Sequence, residues 1–169
     1  MADMTDAEII DRIFKSEGGF VDDPADPGGA TNFGITIGTL GRYRRAPVTV
    51  ESVRNLTRDE AEAIYQHNYI AQPGYAGIPD GSLRYAVVDA GVQHGTGTAT
   101  CILQKALGVP PDGVFGMHTL AAVRGADPGP VIASIVEQRR TIYNRLIASN
   151  PQMEKFRDGW ANRLAEFVA

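Results

Sequence analysis

A chain of 169 residues that is 43% hydrophobic and 21% charged has the profile of one ordinary folded domain. It can bury roughly 70% of its unfolded surface, which excludes a disordered chain. The formal net charge of −4 offers no cationic excess to neutralise phosphates, which argues against a general nucleic-acid binder. The single Cys101 excludes an internal disulfide, and no apolar run approaches the length of a membrane span. Residues 1–6 carry neither a basic nor an apolar leader region, so the expectation is synthesis in the cytoplasm without a signal peptide.

The periodicity is almost entirely helical. Thr5-Asp6-Ala7-Glu8 reads as a capping box, and Ile9, Ile10, Ile13 and Phe14 form the buried stripe of the helix it opens. Gly18-Gly19 ends that helix. A Gly- and Pro-rich stretch from Asp22 to Gly38 holds two short β-prone pieces, Thr31–Phe33 and Ile35–Ile37. Gly34 separates them, which suggests a small hairpin. A short helix is expected over Thr39–Arg45. A second capping box, Thr57-Arg58-Asp59-Glu60, starts a helix with Ala61, Ile64 and Tyr65 inward.

After a loop from Gln72 to Gly81, Ser82 is expected to cap a helix carrying Leu83, Ala86, Val87 and Ala90. Gly95-Thr96-Gly97 breaks the chain, and helix resumes from Thr98 to Leu107, with Cys101 a packed small hydrophobe. A turn at Pro110–Gly113 precedes a helix over about 117–123. Ile132, Ile135, Val136, Arg139, Ile142, Tyr143 and Leu146 mark a long helix. The last helix carries Phe156, Trp160, Leu164 and Phe167. The basic clusters Arg42/Arg44/Arg45 and Arg139/Arg140 read as solvated faces. The expected architecture is mainly α with one small β-hairpin insert after the first helix. The best candidate boundary lies at Gly95–Gly97, giving lobes 1–95 and 96–169 packed as one compact domain.

Glu17 lies one turn past Ile13 and two turns past Ile10, so its side chain leaves the helix on the buried face, at its end. A carboxyl there loses hydration, which favours its protonated form, and a protonated carboxyl can donate to a leaving oxygen. A Glu near a helix C-terminus also opposes the macrodipole, with no evident structural return. The competing reading is a solvent-exposed Glu at a helix end. Glycoside cleavage usually needs a second carboxylate, as base or nucleophile. Asp26 is the candidate, with Thr31 to help hold a water and Asn32 as a further polar group. The alternative is a turn-rich loop in which the Asp residues only turn the chain. That bland reading is preferred for Asp22 and Asp23. Asp89 is either a third acidic site residue or a buried hydrogen-bonded partner. Tyr69 is the best aromatic for stacking on a sugar ring. His67, His94 and His118 lack metal-ligand spacing, so no metal and no cofactor are expected.

Glu17-Gly18-Gly19-Phe20 followed by Asp26-Pro27-Gly28-Gly29-Ala30-Thr31-Asn32-Phe33-Gly34-Ile35-Thr36 resembles the signature of glycoside hydrolase family 108, whose members include N-acetylmuramidases of phage endolysin type. Tyr65 to Tyr69 resembles the family's helix with two tyrosines. Asp89 to Gly95 resembles its D-x-x-V-N-x-G stretch, with Gln93 in the Asn position, where it keeps an amide for sugar or backbone. Leu103–Gly108, Asp112–Gly116 and Thr119-Leu120 are similar to its C-terminal peptidoglycan-binding region, and Phe156, Gly159, Trp160 and Arg163 to its closing pattern.

The resemblance implies a lysozyme-like helical fold and cleavage of the β-1,4 bond between N-acetylmuramic acid and N-acetylglucosamine. It implies Glu17 as the catalytic acid. The nine-residue spacing from Glu17 to Asp26 also resembles the Glu-Asp-Thr arrangement of phage-type lysozymes. There the Thr falls six residues after the Asp, whereas here position 32 is Asn and Thr31 comes one residue early. Phe20 replaces a common Tyr, which removes one hydroxyl from the cleft edge. The expected catalytic residues are therefore Glu17, Asp26 and Thr31, and the expected substrate contacts are Asn32, Tyr69 and Gln93.

The expected partner is the peptidoglycan glycan strand, met by a monomer without help from net charge, since that polymer is itself often anionic. Without a signal peptide, the expected route to the wall is holin-type release of a phage or prophage endolysin, with export by another route second. Three rivals remain at this stage: a lytic transglycosylase leaving 1,6-anhydro sugars, a non-catalytic wall-binding module, and a structural protein.

Overall fold

The computed structural model describes residues 3–23 and 29–168. Its backbone groups into two compact units, Asp6–Asn68 on one hand and Met1–Thr5 with Tyr69–Ala169 on the other.

In the first unit, α1 (Asp6–Glu17) has Asp6 and Glu8 in its first turn, where carboxylates suit the helix dipole, and buries Ile9, Ile10, Ile13 and Phe14. It stops where Gly18 takes φ +76°, a left-handed conformation in which a Cβ is costly. The expected hairpin is present. β1 (Thr31–Asn32) pairs antiparallel with β2 (Ile35–Thr36), in the register Thr31↔Thr36 and Asn32↔Ile35. Its two-residue turn places Phe33 at φ +51° and Gly34 at φ +74°, the double positive φ of a type I′ turn that matches strand twist. Val21 adds a bridge to the other side of Thr31 through two 2.8 Å backbone hydrogen bonds.

Helix α2 (Ile37–Arg44) starts two residues earlier than expected. The Thr36 side chain accepts from the Thr39 N–H and so opens the helix directly at the end of β2. A five-residue helix, α3 (Val50–Arg54), was not anticipated. Reciprocal hydrogen bonds between Thr49 and Ser52 cap it, a capping box with Ser in place of the usual Glu or Gln. Thr57 caps α4 (Arg58–Tyr65), which buries Ala61, Ile64 and Tyr65 as expected. The chain then widens into a π-helical turn over Gln66–Ala71.

In the second unit, α5 (Gly81–His94) is buried on nearly every side, including Leu83, Tyr85, Val87 and Asp89. Its cap is Asp80 rather than Ser82. The Asp80 carboxylate accepts the Leu83 N–H at 2.7 Å, which sets the helix start one residue before Ser82. Asp3 meets the same end, accepting the Gly81 N–H at 2.6 Å. Gly95, at φ +84°, divides α5 from α6 (Thr96–Leu107), and both helices lie within this unit. The long predicted helix is α8 (Pro128–Ser149), preceded by α7 (Met117–Gly125). The last predicted helix divides into a 3-10 turn over Pro151–Phe156 and α9 (Arg157–Ala165).

Two polar clusters fix this unit. Gln104, 1% exposed, donates to the Asp112 carboxylate and the Val114 carbonyl and accepts the Gly113 N–H, which holds the 112–116 loop against α6. Asp89, 1% exposed, pairs with Arg139 at 2.8 Å and Arg163 at 2.6 Å. Arg139 is therefore not part of a solvated face. It is wholly buried because α8 turns it inward onto a carboxylate, while Arg140 beside it is exposed. Asp89 is the buried partner and not an open acid. Cys101 is half-buried, with its thiol 3.6 Å from the Pro111 carbonyl oxygen.

Candidate active site

The last residue of α1 and the turn of the hairpin meet within the first unit. Glu17 is half-buried. A Cβ built on Gly34 would stand 2.9 Å from Glu17 Oε2, 3.2 Å from Glu17 Cγ and 2.8 Å from the Tyr65 hydroxyl. The Glu17 side chain therefore lies close against Gly34, in space that exists because Gly34 has no side chain.

The surroundings are aromatic. Phe14, one turn before Glu17 on the same face, packs its ring 5.0 Å from Phe33 and 4.9 Å, edge-on, from Tyr65. Tyr65, 1% exposed, donates its hydroxyl to the Phe33 carbonyl at 2.7 Å. The hairpin turn is thus held from three sides by α1, α4 and its own ladder. Phe33 occupies a left-handed conformation that a bulky residue rarely adopts. Such strain persists where surrounding contacts over-determine it, and it concentrates at functional sites.

A second set of contacts fixes β1 to α3. Asn32, 7% exposed, donates its amide to the carbonyls of Val53 at 3.1 Å and Arg54 at 3.3 Å. Those carbonyls belong to the end of α3, where the Val53 carbonyl also accepts the Leu56 N–H at 3.2 Å. The Arg54 guanidinium covers the Phe20 ring at 4.3 Å, so the position without a tyrosine hydroxyl is part of a cation–π contact. Thr31 is half-buried, and Val21 takes both of its backbone hydrogen-bonding groups.

The structure thus places Glu17, Thr31 and Asn32 in one unit, on elements that touch the same hairpin. Asp26 lies outside the described residues. Tyr69 and Gln93 belong to the other unit. Both are half-buried, Tyr69 within the π-helical turn and Gln93 one residue from the end of α5. Sequence reading missed Gly34 and Tyr65 as site residues. Gly34 reads as a mere separator of strands, and Tyr65 as one more inward position of α4. One signal was available: a buried tyrosine needs a partner for its hydroxyl, and a turn flanked by β-prone pairs supplies free carbonyls.

The Glu17 carboxyl is half-buried and lies against a hairpin turn whose Phe33 packs on Phe14 and whose Phe33 carbonyl is bonded to Tyr65. That geometry suits proton donation to a bound substrate oxygen.

Residues 10–95 match the family model described as Glycosyl hydrolase 108, and residues 98–165 the model described as Predicted Peptidoglycan domain. All six sequence-predicted site residues fall inside the first match. Among solved structures, the chain is similar to one titled "Structure of Brucella abortus SagA". The two are 34% identical, the match covers 96% of this chain and 90% of that one, and the TM-score is 0.82. No curated protein sequence matches the chain.

Proposed function

Because the chain belongs to the glycosyl hydrolase 108 family and is a glycoside hydrolase acting on peptidoglycan, we propose that it is an N-acetylmuramidase with Glu17 as general acid. In this reading it cleaves the β-1,4 bond from N-acetylmuramic acid to N-acetylglucosamine. The observation that supports the acid assignment is the seat of the Glu17 carboxyl against Gly34, at a turn that the Tyr65 hydroxyl holds through the Phe33 carbonyl. Glu17 delivers its proton to the glycosidic oxygen as the bond breaks. Positive charge then develops on the sugar ring, and a second group must stabilise it or activate water.

Asp26 takes that role, helped by Thr31, whose backbone is anchored to Val21. Asn32 acts by holding the hairpin on α3, since its amide is already engaged there. Tyr69 and Gln93 meet the sugar, the first by stacking and the second through its amide. Residues 1–95 carry the chemistry, and residues 96–169 recognise the wall. No described helix is long and apolar enough to cross a membrane. The protein reaches its polymer from the cytoplasm by holin-type release, as an endolysin, and acts there as a monomer.

Product analysis tests the bond assignment. Sacculi digested by the purified chain should give fragments with reducing N-acetylmuramic acid, read by mass spectrometry after borohydride reduction. Reducing N-acetylglucosamine ends would replace the bond assignment. Fragments ending in 1,6-anhydro-N-acetylmuramic acid would make the protein a lytic transglycosylase.

A further inference from the structure

We propose that the groove between α8 and α9 is a binding site for the peptide stems of peptidoglycan, separate from the residues that break the glycan. The groove has a volume of about 440 Å³, within the range of pockets that hold a small ligand. It lies entirely within the span matched by the peptidoglycan domain, residues 98–165. The proposal rests on peptidoglycan as the polymer bound and not on the identity of the acid.

The lining has the chemistry of a short charged peptide. Its floor is apolar, where Trp160 stacks on Tyr143 with ring centroids 4.4 Å apart and planes 12° from parallel. Arg140 and Arg157 supply guanidiniums, Asn144 an amide, and Asp158 one carboxylate. In peptidoglycan the lactyl carboxyl of muramic acid is consumed in the amide to the stem, so a glycan strand carries little charge. The stem keeps free carboxylates and, at its diamino acid, an amine. Two guanidiniums and one carboxylate around an apolar floor complement that pattern, and guanidinium–carboxylate pairing is directional.

In the free protein Arg140 pairs with Glu137 at 3.2 Å and Arg157 with Glu154 at 2.5 Å, each three residues apart on the surface. Both arginine side chains are about half exposed, at 56% and 49%. The Arg140 pair is a single exposed contact of the weakly held kind, whereas Arg157 is gripped by two hydrogen bonds from its guanidinium to Glu154, so a ligand carboxylate replaces Glu137 at Arg140 and shares Arg157 with Glu154.

Trp160 is the only tryptophan of the chain, so its fluorescence reports on this groove alone. The test titrates the full chain with L-alanyl-γ-D-glutamyl-meso-diaminopimelate and follows that emission. It also co-sediments the Glu17→Gln protein with intact sacculi and with sacculi stripped of stems by an amidase. The expected results are a saturable emission change and weaker sedimentation with stripped sacculi. Arg140→Glu combined with Arg157→Glu should bind stem and intact sacculi about tenfold more weakly or worse, the loss of two charge-assisted contacts. Turnover of stem-free glycan by the same variant should stay unchanged. If the pair of substitutions lowers thermal stability, Arg140→Gln with Arg157→Gln replaces it.

Equal sedimentation with stripped and intact sacculi would overturn the proposal and assign retention to the glycan. Wild-type binding by the arginine variants would overturn it as well. Failure of the acid assignment has its own signature, sacculus clearing by Glu17→Gln at the wild-type rate, and leaves the groove result standing.

Discussion

Gly34→Ala separates backbone strain from displacement of the candidate acid. At φ +74° an alanine costs about 1–2 kcal/mol, which for a chain of this size lowers Tm by roughly 2–8 °C and leaves the fold intact. The new methyl also enters occupied space, 2.8 Å from the Tyr65 hydroxyl and 2.9 Å from Glu17 Oε2. Glu17 is half-buried and its carboxyl yields, while the buried Tyr65 hydroxyl, bonded to Phe33, also has to give by a few tenths of an ångström. Restoring an ordinary contact moves the carboxyl by about half an ångström. A misplacement of about 1 Å can cost 10²-fold in rate, so about tenfold is the expected scale here.

Gly108→Ala is the matched control, with φ +70° and nothing within 4 Å of the added Cβ. Both variants should lose Tm by scanning fluorimetry, Gly34→Ala by more than Gly108→Ala because its methyl also meets Tyr65 and Glu17. Only Gly34→Ala should lose about tenfold in sacculus clearing. Equal specific activity of the two variants would refute the idea that the hairpin turn seats the acid.

Asn32→Leu should destabilise by about 1–3 kcal/mol in urea denaturation, because it removes the side-chain amide that ties β1 to the Val53 and Arg54 carbonyls at the end of α3. An unchanged midpoint would free Asn32 from that role. Asp89→Asn should cost about 3–5 kcal/mol, since it removes the carboxylate that the wholly buried Arg139 pairs with and that Arg163 also meets; urea denaturation measures this, and a loss below 1 kcal/mol would contradict it.

Burial, reinforced by the nearby Arg139 charge, lowers the His94 imidazole from 6.5 to about 4. The unfolded chain takes up this proton below about pH 6.5 and the folded chain does not. His94 therefore makes stability fall as pH drops from 6.5 toward 4. Other groups add to the acid slope of the wild type. Stability curves of wild type and His94→Gln should converge toward pH 4 with a shallower slope for the variant, and parallel curves would rule the assignment out.

Most of the fold was legible because long amphipathic stripes state their own helices. Ile9, Ile10, Ile13 and Phe14 define α1, and the spacing from Ile132 to Leu146 defines α8. The hairpin was legible from β-prone pairs around Gly34. What escaped was decided by single hydrogen bonds. Asp80 rather than Ser82 caps α5, and Thr36 opens α2 two residues early. Helix α3 is too short to show periodicity. Arg139 looked like surface because a basic pair usually is. Its burial depends on Asp89, fifty positions away and invisible to any local pattern.

For the candidate site, the reach of Glu17 along the buried face followed from helix geometry. Its seat did not, because Gly34 and Tyr65 reach it only through the tertiary fold. Asn32 was legible as a polar group beside the site, but its partners on α3 were not, because α3 itself was unread.

The central claim is that the Glu17 carboxyl supplies the proton for glycosidic cleavage. Glu17→Gln keeps the shape and removes the exchangeable acid, so clearing of purified sacculi by wild type and variant at matched concentration is the direct measurement. With Tm and sacculus binding retained, the variant should be slower by about 10²-fold or more, the usual share of a positioned acid. Clearing at the wild-type rate would contradict the claim.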